Sequence, residues 1–201
     1  MAAHVPPKKF IKKHGVNMLN PEYLKWKKAG GKKQAPPKFQ DPIDFMMVRI
    51  DVLEAKDLVG KDKKMFSKKK TSDPYVKVSL LCTPTKTVAG AKRRPQKIPL
   101  GETQVIEKNL NPTWNFGRST KIPVSRMSEN LQLVFDIFDK DKLSSDDAMG
   151  TVTLSALKWK DTSVPAKWYE VPKGSAKGAT GEIKLKVATQ VHRVAGLRPY
   201  L

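Results

Sequence analysis

The stretch that decides the fold is Leu131-Gln-Leu-Val-Phe-Asp-Ile-Phe-Asp139-Lys-Asp141-Lys-Leu-Ser-Ser-Asp146-Asp147-Ala-Met-Gly150. Its first half alternates. Leu131, Leu133, Phe135 and Ile137 point one way, and Gln132, Val134, Asp136 and Phe138 point the other, the period of a β-strand. Its second half is an acidic turn, and Gly150-Thr-Val-Thr-Leu154 opens another strand. Alternation sets Asp139 and Asp141 on the same side of the emerging backbone, and a turn returns Asp147 towards them. Carboxylates gathered in this way repel, at a cost of several kcal/mol if they are desolvated alone. A hard cation with oxygen ligands is the economical explanation, and calcium accepts about 6–8 oxygens in flexible geometry. An acidic turn in solvent, offset by Lys140 and Lys142, is the plain alternative. The spacing is not that of an EF-hand loop, whose Gly and final Glu are missing.

Outward from this stretch the pattern repeats. Phe45–Leu53 alternates Met47, Arg49 and Asp51 against Val48, Ile50 and Val52. Tyr75–Leu80 and Glu182–Val187 alternate likewise. Turn residues punctuate the runs at Asp73-Pro74, Asn111-Pro112, Ile122-Pro123, Pro172 and Gly174. Many short strands with turn punctuation and few helical patterns predict an all-β antiparallel sandwich. Trp114 and Phe116 read as core and turn packing, Trp159 and Trp168 as covers of a sheet edge, and Cys82 as a small buried residue.

The remainder of the 201 residues bounds the function. Apolar residues make up 39%, enough for a core. No run reaches the roughly 18 apolar residues that span a bilayer, and Met1–Lys13 lacks the apolar centre of a secretory signal. One cysteine excludes a disulfide framework or a cysteine zinc site and fits a reducing, cytoplasmic setting. The three His lie near the ends, without a nucleophile or acid constellation, and no phosphate-binding loop is present. A binding protein with no small-molecule substrate is expected rather than an enzyme.

Charge is unevenly spread. The net charge is +20. Residues 1–40 hold ten Lys and one acid, and the rest of the chain nets +11. Residues 1–44 therefore read as a basic Pro/Lys-rich arm, 45–190 as the β domain and 191–201 as a basic tail. In the arm, Asn20-Pro21-Glu22 starts a short helix carrying Tyr23, Leu24 and Trp26, which Gly30-Gly31 stops. Lys8, Lys9, Lys12, Lys13, Lys27 and Lys28, with Tyr23 and Trp26 between them, suit an acidic surface: lipid, an acidic protein or nucleic acid. Lys without Arg makes nucleic acid the weakest of the three.

Four ordered blocks resemble the C2 domain family over roughly residues 45–190: Leu58-Val-Gly-Lys-Asp62, Thr71-Ser-Asp-Pro-Tyr-Val-Lys77, Asn109-Leu-Asn-Pro-Thr-Trp-Asn115, and Phe138 through Gly150. The resemblance implies an eight-stranded Greek-key β-sandwich. Trp168-Tyr-Glu-Val171 and Gly181–Val187 close the domain, which matches the permuted topology similar to C2 domains of HECT-type ubiquitin ligases and novel protein kinase C. It implies five calcium ligands, Asp62, Asp73, Asp139, Asp141 and Asp147, holding two or three ions. It also implies an electrostatic switch onto anionic phospholipid, with Met65, Phe66 and Leu143 as the apolar tips that enter the membrane.

The chain departs from the family in three ways. Asp62 and Asp73 lie eleven apart, longer than is usual, with Lys61, Lys63, Lys64, Lys68, Lys69 and Lys70 around them. Each Lys near an anionic bilayer adds about 1 kcal/mol. The stretch Glu102–Lys108, read as the family's lysine-bearing strand, has two acids and one Lys. The loop before it is basic, with Lys86, Lys92, Arg93, Arg94 and Lys97. Two roles follow. One is a calcium-dependent module for anionic membranes. The other is a structural or adaptor subunit whose arm and loops grip an acidic assembly, such as tubulin in a cilium or cytoskeleton, or a ribonucleoprotein.

Overall fold

A computed structural model describes residue 28 and residues 43–61, 71–85, 94–141, 145–155 and 157–194 of the chain. Two compact units are distinguished. One is Ile43–His192. The other joins Met1–Pro42 to Arg193–Leu201 and lies almost wholly outside the described residues. Of residues 1–42 only Lys28 is described, and it is exposed; Ile43 and Asp44, read as the end of the arm, open β1.

The described strands are β1 Ile43–Lys56, β2 Pro74–Pro84, β3 Gln96–Glu102, β4 Thr113–Pro123, β5 Glu129–Asp139, β6 Asp147–Leu154, β7 Thr162–Ser163, β8 Lys167–Glu170 and β9 Glu182–Arg193. A 3-10 turn, Val124–Arg126, joins β4 to β5. The strands form two antiparallel sheets. One runs β4-β1-β9-β7, with β8 also on β9, and the other runs β3-β2-β5-β6. Nine strands thus stand where eight were expected. The extra one is the two-residue β7, which pairs with Ala188 and Thr189 of β9.

Alternation builds the core. Met46, Val48, Ile50 and Val52 of β1 and Leu131, Leu133, Phe135 and Ile137 of β5 are all at most 1% exposed, and face each other across the sandwich with Ile183 and Leu185 of β9. Trp114 is buried and Phe116 packs against the core, as their positions suggested. β9, the last strand, lies between β1 on one side and the short β7 and β8 on the other, so the permuted order is what the molecule adopts. Gly181, just before β9, has φ +93°, and a Cβ there would lie 2.3 Å from the carbonyl oxygen of Lys56. Only glycine admits that approach without strain.

One expectation is corrected. The strand beside β2 is Gln96–Glu102, not Glu102–Lys108. β3 is an edge strand, so Pro99 fits there without breaking a ladder on its far side. Lys97 lies within β3 rather than in the preceding loop, and its Nζ pairs with Asp136 of β5 at 2.6 Å. Past Glu102 the regular pairing ends but the chain stays beside β2: the Thr103 hydroxyl accepts the N–H of Val76 at 3.0 Å, and the Ile106 N–H donates to the Pro74 carbonyl at 3.1 Å.

Candidate functional site

Three strand ends meet at one end of the second sheet. Pro74 at the start of β2 pairs with Asp139 at the end of β5, and Asp139 pairs with Asp147 at the start of β6. Adjacent strands lie about 4.8 Å apart, so Asp73, Asp139 and Asp147 stand at neighbouring positions, with Asp141 two residues beyond Asp139. The β5–β6 register slips between Ile137 and Phe138. This bulge admits Gly150, at φ +158°, where a Cβ would meet Val171 Cγ1 at 2.2 Å.

Backbone donors fix two of these carboxylates. Asp139 is only 1% exposed, and its Oδ1 accepts the Asp73 N–H at 2.6 Å. Asp73 Oδ1 in turn accepts the Lys108 N–H at 2.7 Å, and its carbonyl accepts the Lys140 N–H at 3.0 Å. Buried carboxylates are tolerable when backbone N–H groups satisfy them in this way. The Asn109–Asn115 block supplies the frame. Lys108 holds φ +51°, Asn109 Oδ1 accepts the Asn111 N–H, and Asn111 Oδ1 accepts the Asp57 N–H. Ser72 closes the first loop. Its buried hydroxyl accepts the Lys61 N–H at 2.8 Å and donates to the Val59 carbonyl at 3.2 Å.

Asp146, the acid beside Asp147, has a different role. It accepts hydrogen bonds from the Tyr75 hydroxyl and from the Asp141 N–H, the latter at 3.2 Å, and Lys140 Nζ lies 3.2 Å away. The Tyr75 hydrogen bond, then Lys140 and the Asp141 N–H, hold its carboxyl below the usual carboxylate range. Tyr75 itself is pushed up, chiefly by burial and then by Asp146. Beside this cluster, Lys77 Nζ lies 4.7 Å from the Phe138 ring centre and 5.3 Å from that of Tyr75, a cation–π arrangement. Sequence reasoning passed over Tyr75, Lys77, Phe138 and Asp146. The alternation of Tyr75-Val-Lys77 was the available signal, since it puts the ring and the cation on one face of β2.

Of the expected ligands, Asp73, Asp139, Asp141 and Asp147 are drawn to this end. Asp139 is buried, Asp73 and Asp141 are half-buried and Asp147 is exposed. Among the described residues no three acidic, His or Cys groups converge on one point. Asp62, the tips Met65, Phe66 and Leu143, and Lys63, Lys64, Lys68, Lys69 and Lys70 lie outside the described residues. So do Lys92, Arg93, Lys8, Lys9, Lys12, Lys13, Tyr23, Trp26 and Lys27. The described donors are hard carboxylate oxygens on a fixed backbone frame, a set that fits calcium and not a thiophilic metal. Arg94 stands apart from them, two residues before β3 and at the opposite end of the sandwich.

The C2 domain family model matches residues 46–171, the span that holds this fold and these aspartates. The chain belongs to the C2 domain family. The domain is 31% identical to mouse synaptotagmin-3 over 147 residues, which are 72% of this chain and 22% of that protein. It is 33% identical to myoferlin of Xenopus tropicalis over 135 residues, 67% of this chain and 6% of the relative. The chain thus spans about a fifth or less of the length of these relatives. Among solved structures, the calcium-bound C2A and C2B domains of extended-synaptotagmin 2 superpose with a TM-score of 0.51 at 22% identity, covering 75% of this chain and 47% of that one. Human GIVD cytosolic phospholipase A2 does so with a TM-score of 0.51 at 19% identity, covering 77% and 17%. At these identities the structural likeness speaks for the C2 fold alone.

Proposed function

We propose that this C2 domain is a calcium-regulated, non-enzymatic module that docks on anionic phospholipid surfaces. The observation that supports it best is the β2–β5–β6 register, which sets Asp73, Asp139 and Asp147 side by side with Asp141 just beyond. Asp62 completes the proposed ligand set. Calcium, when bound, supplies the positive charge that offsets these carboxylates and positions open to phosphate oxygens. The protein's own part is to hold the carboxylates ready. The Asp73 and Lys108 N–H groups orient Asp139 and Asp73, and the Asn109–Asn111 turn keeps Lys108 in place. Lys77, on its aromatic seat, adds a cation beside the cup. In this reading Met65, Phe66 and Leu143 enter the interface, and Lys63, Lys64 and Lys68–Lys70 add electrostatic attraction. The association is peripheral, and no helix among the described residues is long and apolar enough to cross a membrane.

The test is co-sedimentation of the full chain with phosphatidylserine-rich vesicles at physiological salt, with calcium and with chelator. The control is Asp139→Asn combined with Asp141→Asn. Binding that needs calcium and is lost in the double variant supports the switch. Binding indifferent to calcium sinks it, and turns attention to the ten-lysine arm and to acidic assemblies such as microtubules or RNA.

A further inference from the structure

The end of the sandwich remote from the aspartates carries a second recess. In the β2–β5 pairing, Pro74 faces Asp139 at one end and Pro84 faces Glu129 at the other. At about 3.3 Å per residue the two ends lie roughly 30 Å apart. At the far end Pro84, Arg94, Gln96, Pro123, Arg126 and Glu129 line a pocket of about 370 Å³. They come from β2, β3 and the residues just before it, β4, the 3-10 turn and β5, so the pocket exists only in the folded sandwich.

Its chemistry is cationic and apolar together. Arg126 is set in place from two sides, with Nη1 on Glu129 Oε2 and Nη2 on Gln96 Oε1, each at 2.9 Å. Cys82, which also lines the pocket, is a further partner of this guanidinium, and the rest of its five N–H donors are left for a ligand. Arg94 is exposed, and none of the ion pairs among the described residues involves it. Two arginines against one glutamate give the lining a net positive charge. The adjoining turn presents Val124 and Met127, 41% and 48% exposed. A cation pair beside uncovered apolar side chains suits a ligand with both characters. A guanidinium already fixed by two neighbours loses little freedom on meeting a carboxylate, and it meets one bidentately.

We propose that this pocket receives an acidic side chain of a partner protein, with a neighbouring apolar residue of that partner resting on Val124 and Met127. The proposal does not depend on calcium at the other end. Because the two ends are opposed, the domain can engage a surface and a partner at once.

The test is fluorescence anisotropy of the full chain with a fluorescein-labelled peptide alternating Glu and Leu, at physiological salt. Arg126→Gln is expected to weaken binding roughly tenfold and Arg94→Gln about fivefold. Val124→Ser with Met127→Ser is expected to weaken it severalfold. Removing two exposed cations elsewhere, Arg118→Gln with Lys186→Gln, is expected to change it less than about twofold. Should Arg126→Gln fail to fold by circular dichroism, the exposed Arg94→Gln carries the comparison. Three results would overturn the proposal. One is an equal loss in the control pair, meaning diffuse attraction to a basic chain. Another is equally tight binding of a peptide alternating Glu and Ser, meaning a plain anion pocket. The third is displacement of the peptide by phosphatidylserine vesicles that Arg94→Gln abolishes, meaning a lipid site.

Discussion

Ser72→Ala isolates the device that closes the long first loop. The side chain is fully buried, and its Oγ serves the Lys61 N–H at 2.8 Å and the Val59 carbonyl at 3.2 Å. The substitution removes one atom, so the void left behind is small. It orphans one backbone donor and one acceptor. An unsatisfied buried polar group costs about 1–3 kcal/mol, and Val59 and Lys61 are half-buried, so water recovers part of that. The expected loss is about 2 kcal/mol. For a domain of about 150 residues, at roughly 2–4 °C per kcal/mol, Tm should fall by about 4–8 °C. Urea melts should show a lower midpoint with an unchanged slope, because the surface exposed on unfolding stays the same. A loss under about 0.5 kcal/mol would refute the reasoning, since it would mean that solvent replaces the serine at no cost. Under the calcium reading there is a second readout. The segment bearing Asp62 lies between the two tied ends, so calcium titration should show weaker binding in the variant.

Three further outcomes are expected. Gly150→Ala drives a Cβ into Val171 at 2.2 Å from a φ of +158°, and should cost about 2–3 kcal/mol in urea melts; an unchanged midpoint would show that the bulge relaxes freely. Burial pushes the Cys82 thiol up, so a thiol reagent at about pH 8 should label it slowly in the folded chain and quickly in denaturant; equal rates would contradict its burial. The folded Asp146 pKa lies below its unfolded value. Its stabilisation is therefore present above the ordinary carboxylate pKa and lost as pH falls through the folded one, so wild type and Asp146→Asn should differ in stability near neutrality and converge once the pH is below the folded pKa; a gap that does not narrow in acid would refute the assignment.

Much of the fold was legible because strand alternation is a local signal. Met46 to Val52 and Leu131 to Ile137 declare their buried faces in the sequence, and the structure buries those same residues. The site was legible in its acids, because Asp73-Pro74 and Asp139-Lys-Asp141 sit where strands begin and end. β3 was not legible. Gln96-Lys-Ile-Pro-Leu-Gly-Glu102 contains a proline and a glycine, whereas its neighbour Glu102–Lys108, read as the lysine-bearing strand, contains neither. Only an edge position makes Pro99 admissible, and edge position is a property of the assembled sheet. The place of Asp146 was not legible. It stands next to Asp147 in the chain, yet the β2–β5 pairing brings the Tyr75 hydroxyl and Lys140 to it.

The sequence by itself determined the sandwich, its family and the aspartates that fall at strand ends, because side-chain alternation and turn residues act over a few positions of chain. The tertiary structure alone decided which aspartates are held by backbone N–H groups, where Lys77 and Lys97 lie, and that Arg94 and Arg126 share a pocket at the far end. Those facts depend on contacts between residues tens of positions apart, whose register is set by packing two sheets face to face.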